Sequence, residues 1–117
     1  MTTLTIPQGT TRTIKISSIT DADGNPLDVS SWAVHAVARD GGVAGPVVAE
    51  WATNPTGSQG TATASGTTVT LAIPAAMSSA WYWDTALLHV EVTEPGVNGR
   101  VERIASATLV LDHEVVI

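Results

Sequence analysis

The residues of this chain that could do chemistry are three histidines, eleven acids, a few paired serines and one aromatic triplet. His35, His89 and His113 fall in three different strand-like segments, and no two of them stand at i, i+2 or i, i+4 spacing. A zinc ion could still be held by imidazoles brought together across strands. The plainer reading makes them polar residues on sheet faces or at an interface. Asp21-Ala22-Asp23-Gly24-Asn25-Pro26-Leu27-Asp28 sets three carboxylates within eight residues, and calcium takes about six to eight oxygens. The EF-hand pattern fails, because Trp32 stands where the closing Glu belongs and no helix flanks the loop. The competing reading is a hairpin turn, since Asp-Gly and Asn-Pro supply the backbone angles and side-chain hydrogen bonds of a tight reversal.

Nucleophilic and acid–base constellations are missing. Ser17-Ser18, Ser30-Ser31 and Ser78-Ser79 lie outside any Gly-x-Ser-x-Gly elbow. Asp84 and Glu91 have no context that would split them into acid and base. Gly41-Gly42 and Gly57 are not in a strand-loop-helix phosphate cradle. No catalytic residue, no cofactor and no metal is expected, and the chain does not read as an enzyme. The triplet Trp81-Tyr82-Trp83 is more informative. If it is a strand, Trp81 and Trp83 share one face and Tyr82 takes the other. With Tyr82 inside, the two tryptophans become a protein anchor or a platform for sugar rings. With a tryptophan inside, the triplet is core, as in many immunoglobulin-like folds.

Elements must hold these groups, and composition limits which. A length of 117 residues suits one domain, 1–117. Hydrophobic residues make up 44% and charged residues 14%, below the usual ~25%, which excludes a disordered chain. Thr occurs 17 times, Gly 10 and Pro 6, Lys once and Phe never, a set that favours strands and turns. Net charge is −6, the wrong sign for tracking a phosphate backbone, so nucleic acid is excluded as a partner. Cysteine is absent, which removes disulfides, thiolate metal sites and cysteine nucleophiles and leaves the compartment open. No basic region precedes Leu4-Thr5-Ile6, so no signal peptide is expected. No apolar run nears the ~18 residues of a membrane span.

Turn signals recur at short intervals: Pro7-Gln8-Gly9, Asp23-Gly24-Asn25-Pro26, Asp40-Gly41-Gly42, Asn54-Pro55-Thr56-Gly57, Ser65-Gly66, Glu94-Pro95-Gly96 and Asn98-Gly99. The segments between them alternate. Leu4 and Ile6 share a face, as do Ile14 and Ile16, and Trp32, Val34, Ala36 and Ala38. Residues 61–64 and 67–73 form a hairpin about Ser65-Gly66. The run 81–93 should bury Tyr82, Ala86, Leu88, Val90 and Val92, and the run 100–110 sets Val101, Arg103, Ala105, Ala107 and Leu109 on one side. Pro74 to Ala80 is the one helical turn. The pattern predicts an all-β, two-sheet, immunoglobulin-like β-sandwich of about seven to nine strands.

The same stretches carry a resemblance. Leu4-Thr5-Ile6-Pro7-Gln8-Gly9-Thr10-Thr11-Arg12 resembles the opening strand of small β-sandwich domains in tailed-phage virions. Ile19-Thr20-Asp21-Ala22-Asp23-Gly24-Asn25-Pro26-Leu27-Asp28-Val29-Ser30 is similar to their second hairpin, and Tyr82-Trp83-Asp84 followed by Gly99-Arg100-Val101 to their ending. The family includes the N-terminal domain of siphophage baseplate upper proteins and small virion proteins of actinobacterial phages. Thr10 departs from an Asp frequent there, and Ala105-Ser106-Ala107 from a Gly. The resemblance implies a bacteriophage virion structural protein, stand-alone, either a head decoration (minor capsid) protein or a tail or baseplate component (minor tail protein). It would be made in the host cytoplasm and dock to other virion proteins and to copies of itself as an oligomer. The candidate contact residues are Leu4, Ile6, Trp81, Trp83, Val115, Val116 and Ile117. The alternative is a carbohydrate-binding module that stacks a host-surface glycan on Trp81 and Trp83. Removing residues 113–117 is expected to leave the fold largely intact and weaken assembly, which co-sedimentation of the truncated chain with particles checks.

Overall fold

The structure is a computed structural model that describes residues 2–42, 44–96 and 99–113. Eight strands and one short helix follow in the order β1 (Thr2–Pro7), β2 (Arg12–Ile16), β3 (Ala33–Arg39), β4 (Val47–Ala52), β5 (Gly60–Ser65), β6 (Thr68–Ile73), α1 (Ala75–Ser79), β7 (Thr85–Thr93) and β8 (Val101–Asp112). The chain is therefore all-β, and the helical turn falls where Pro74 and the alanines after it place it.

The two-sheet sandwich is corrected. The strands form one eight-stranded sheet in the order β1-β8-β7-β3-β4-β5-β6-β2, curled into a nearly closed barrel. Most neighbours run antiparallel, but β1 runs parallel to β8 and β4 parallel to β5. The join that prevents two separate sheets is narrow, consisting of Trp51 opposite Gly60 and Ala52 opposite Thr61. Side-chain alternation reports which face a residue occupies and is silent about which edges hydrogen-bond, so this join left no mark on the sequence pattern. The open seam lies between the terminal strands, where Leu4 to Ile6 and Arg12 to Lys15 line a shallow hollow.

Inward side chains form one apolar layer. Val29, Trp51, Val69, Leu71, Ile73, Leu88, Val90, Val92 and Leu109 are essentially without exposure. Each such aliphatic contributes roughly 1.5–3 kcal/mol of transfer free energy. An exposed ion pair contributes about 0–1 kcal/mol, so the fold is held by this layer and not by its surface charges. Trp32, Val34, Ala36 and Ala38 are buried on one face of β3 as their spacing requires. The hairpin about Ser65-Gly66 also forms, with Gly66 at φ +59°.

Alternation fails where an extra residue enters. Val90 pairs with Ala105 but Glu91 pairs with Arg103, so Ile104 is a bulge in β8. Beyond it the faces exchange: Val101 is 58% exposed although Ala107 and Leu109 are buried. Alternation is also broken between Trp83 and Ala86, because residues 81–84 precede β7 and are not part of a strand. Both are buried, while the two residues between them are exposed. Asp84 and Thr85 thus take the place of one outward residue, and the carbonyl of Asp84 accepts the amide of Leu111 at 2.8 Å. Tyr82 is accordingly outside, not inside as expected.

The loops are tied to the sheet. Gly9 N–H donates to the buried Ser78 Oγ at 2.9 Å, and Gln8 Nε2 donates to the carbonyl of Trp81 at 3.0 Å, so α1 is fastened to the β1–β2 turn. Trp51 Nε1 donates to the carbonyl of Ala72 at 2.8 Å. Its indole passes so close to Gly60 that a Cβ there would lie 2.5 Å from Trp51 Cδ1 and 2.7 Å from Nε1. Gly60→Ala is expected to lower stability by about 1–3 kcal/mol through this overpacking, measured as a lower urea midpoint at unchanged slope.

Candidate functional site

The histidines are dispersed as their sequence positions suggested, but two of them share a face. His35 on β3 and His89 on β7 both point outward, and the register sets His35 opposite Glu91 and Val37 opposite His89. His35 Nε2 lies 2.6 Å from Glu50 Oε2 of β4. Arg103 on β8 pairs with Glu91 at 3.9 Å. Arg39 completes the group and donates to the carbonyl of Gly45 at 3.1 Å. His35, Val37, Arg39, His89, Glu91 and Arg103 line one shallow concavity of about 330 Å³ on the outer surface of β3, β7 and β8. His113 is elsewhere, after β8, with Nε2 2.6 Å from Asp84 Oδ1. Among the described residues no three His, Cys, Asp or Glu side chains converge as a metal site would require.

The His35 imidazole is also the main reason the Glu50 carboxyl sits below the ordinary carboxylate range. Its hydrogen bond outweighs the partial desolvation that acts in the other direction, and Gln59 adds a smaller lowering. Asp28 is lowered in the same direction by the hydroxyl and amide of Ser30.

The acidic loop is a turn. Asp21 Oδ1 accepts the amides of Asp23 at 2.9 Å and Asn25 at 3.0 Å, and the carbonyl of Asp21 accepts the amide of Gly24 at 3.0 Å. Gly24 takes φ +84°, and Thr20 bridges Pro26. Asp28 Oδ1 is engaged with Ser30, its hydroxyl at 2.6 Å and its amide at 3.0 Å. Asp21 and Asp28 are therefore each engaged by groups of their own loop instead of facing a common centre.

The aromatic triplet is where the structure departs most from the sequence reading. Trp81 and Trp83 are 7% and 5% exposed, and Tyr82 is 91% exposed. The Trp81 ring stands edge-on to Trp51 at 6.3 Å between centroids, and Trp83 lies 5.0 Å from Trp81. Neither tryptophan presents a ring face to solvent, so of the three readings open for this pair the core one holds, and the sugar platform and the exposed anchor do not. Trp83 Nε1 is buried and has no acceptor among the described residues, a cost of about 1–3 kcal/mol that the surrounding packing must offset.

Of the other candidate contact residues, Ile6 is buried in the core and Leu4 is half-buried against it. Val115, Val116 and Ile117 lie outside the described residues. The sequence reading missed the outward cluster as a cluster. Alternation puts His35 and Arg39 opposite the Trp32–Ala38 face, and His89 and Glu91 opposite the Ala86–Val92 face, but the neighbour across a ladder is set by register, which one strand's pattern does not contain. No family model matches the chain, and no curated protein matches it.

The lowered Glu50 pKa means that its contribution to stability is present above the ordinary carboxylate range and is lost as pH falls through the lower folded value. Glu50→Gln is expected to cost less than about 1 kcal/mol at neutral pH, because the pair is part-exposed. The difference in melting temperature from the parent should shrink as pH falls from neutral through the carboxylate range; a difference that stays constant over that fall would contradict the assignment.

Proposed function

We propose that this chain is a structural protein of a tailed-phage virion, a small barrel-like β domain that decorates the head or joins the tail or baseplate and acts by docking rather than by catalysis. What carries the reading is the outer face of β3, β7 and β8. The protein has 5 basic and 11 acidic residues, yet two of the five basic ones, Arg39 and Arg103, meet on this one face with His35 and His89 against Glu50 and Glu91. With neutral imidazoles the face is balanced where the molecule as a whole carries −6, so it is a face on which an acidic neighbour is not repelled, and charge arranged in this way sets orientation and encounter rate. Its concavity is shallow and built on sheet, a shape suited to protein contact.

The resemblance of residues 4–12, 19–30, 82–84 and 99–101 to small virion domains supports the setting. The acidic stretch of that resemblance is folded into the turn that such a hairpin needs. The partners in this reading are capsid or tail subunits and other copies of the chain. Small contacts repeated by symmetry then sum, because neighbouring copies hold one another at high effective concentration. The carbohydrate-binding alternative loses its two stacking rings to the core.

Arg103→Glu reverses the most exposed charge on the face. It is expected to lower binding to particles at least ~10-fold at unchanged melting temperature, whereas Lys15→Glu, an equal change on β2, should not. Both are read by quantitative mass spectrometry of purified particles reconstituted with each variant. Equal occupancy of the parent and Arg103→Glu would remove the outer face from the proposal, and no particle-bound parent would remove the proposal itself.

A further inference from the structure

We infer that the free edge of β1 pairs with the β1 edge of a second copy of this chain, antiparallel about a two-fold axis, joining two sheets into one. Among the described residues β1 is a terminal strand of the sheet, bonded on one side only, to β8. Such an edge exposes a row of amides and carbonyls, and monomeric proteins guard it with charge, proline, a bulge or shortness. β2, the opposite terminal strand, is guarded in this way by Arg12 and Lys15. β1 is not. No charged residue occurs from Thr2 to Thr11. Its register with β8 is unbroken over six pairs, and Pro7 closes only its last position. Thr2, Thr3 and Thr5 are exposed and Leu4 is half-buried. Open edge, unbroken register and β-branched side chains are what strand addition uses.

Charge decides the occupant. Two copies that each carry −6 repel wherever their acids approach, and the uncharged β1 strip lets two backbones come within the ~4.8 Å of a ladder without burying a carboxylate. β1 against β1 sets threonine and leucine against their own kind, a pairing that favours sheets. β1 against the β2 of a second copy would instead set Arg12 and Lys15 against threonines, with no acid on the facing strand. The contact is isologous, so it closes at a dimer and leaves the outer face of each copy free for other neighbours. This deepens the docking reading above and rests on it for the role of the contact in assembly.

The test is sedimentation equilibrium of the full chain at neutral pH, parent against Thr3→Lys/Thr5→Lys. Both threonines are exposed, so the variant should keep the parent's melting temperature. The parent is expected to dimerise, and the variant's dissociation constant should rise at least ~100-fold. Hydrogen exchange gives a second readout: β1 amides not bonded to β8 should slow as parent concentration rises. A parent that stays monomeric to about millimolar concentration, or a dimer untouched by the two lysines, overturns the inference. Failure here with particle binding intact sinks only the edge contact. A dimer that never binds particles sinks the virion reading and leaves the edge contact standing.

Discussion

The fold depends on Trp51. Its backbone makes half of the two-pair join between β4 and β5, and its indole crosses beside Gly60 to bond the carbonyl of Ala72 on β6. One residue therefore links three consecutive strands at the point where the sheet turns over on itself. The requirement propagates outward. Gly60 must lack a side chain, and Trp81 is received edge-on against the Trp51 ring. Trp83 packs on Trp81 in turn, and the segment after α1 is drawn inward against the sheet. The chain has no phenylalanine and only one tyrosine. Its four tryptophans are the large rings with which it can fill the interior, and all four are buried. That is why none is left to stack a ligand. Arg100 lies 5.3 Å above Trp32, covering the one that comes nearest the rim.

Faces were legible in the sequence wherever strands were regular. Trp32, Val34, Ala36 and Ala38, the alternation of β6, and the face from Ala86 to Val92 came from period two alone. The errors have two causes. An inserted residue exchanges the two faces of everything beyond it, and an insertion is a relation between two strands, as at Ile104 in β8. Trp81 to Asp84 lie before β7 and outside any strand, so period two does not govern them. The two causes account for the misplacement of Val101 and for Tyr82 and the two tryptophans trading sides. The barrel-like closure was invisible for a related reason, since the β4–β5 join is made of backbone groups that every residue carries. Turn chemistry, by contrast, is local. The Asp21–Pro26 reversal could be read because Asp, Gly and Asn act on backbone atoms a few positions away.

The outer face was legible residue by residue and not as a site. His35, Arg39, His89 and Glu91 each read as outward, yet their contact is created by the antiparallel register of β3 and β7, and Arg103 arrives from β8 only because the bulge turns it out. The bulge that spoiled the alternation is thus the device that brings a third strand's charge to the face. Bulges commonly re-aim a side chain in this way.

Energetics separate the surface from the fold. The apolar layer supplies the stability, whereas the exposed pairs His35–Glu50 and Arg103–Glu91 contribute little, so charge on the outer face is under almost no folding constraint. A folding requirement therefore does not account for two arginines and two histidines sharing one face of a molecule of net charge −6; the contact proposed above would. The two terminal strands make the same point through the backbone. Closing the barrel would remove both edges, but the seam between β1 and β2 stays open. One edge carries arginine and lysine and the other carries nothing charged. If both edges merely faced solvent, both would need the same protection. The asymmetry is what is expected when one edge must stay solvated and the other is covered by a partner.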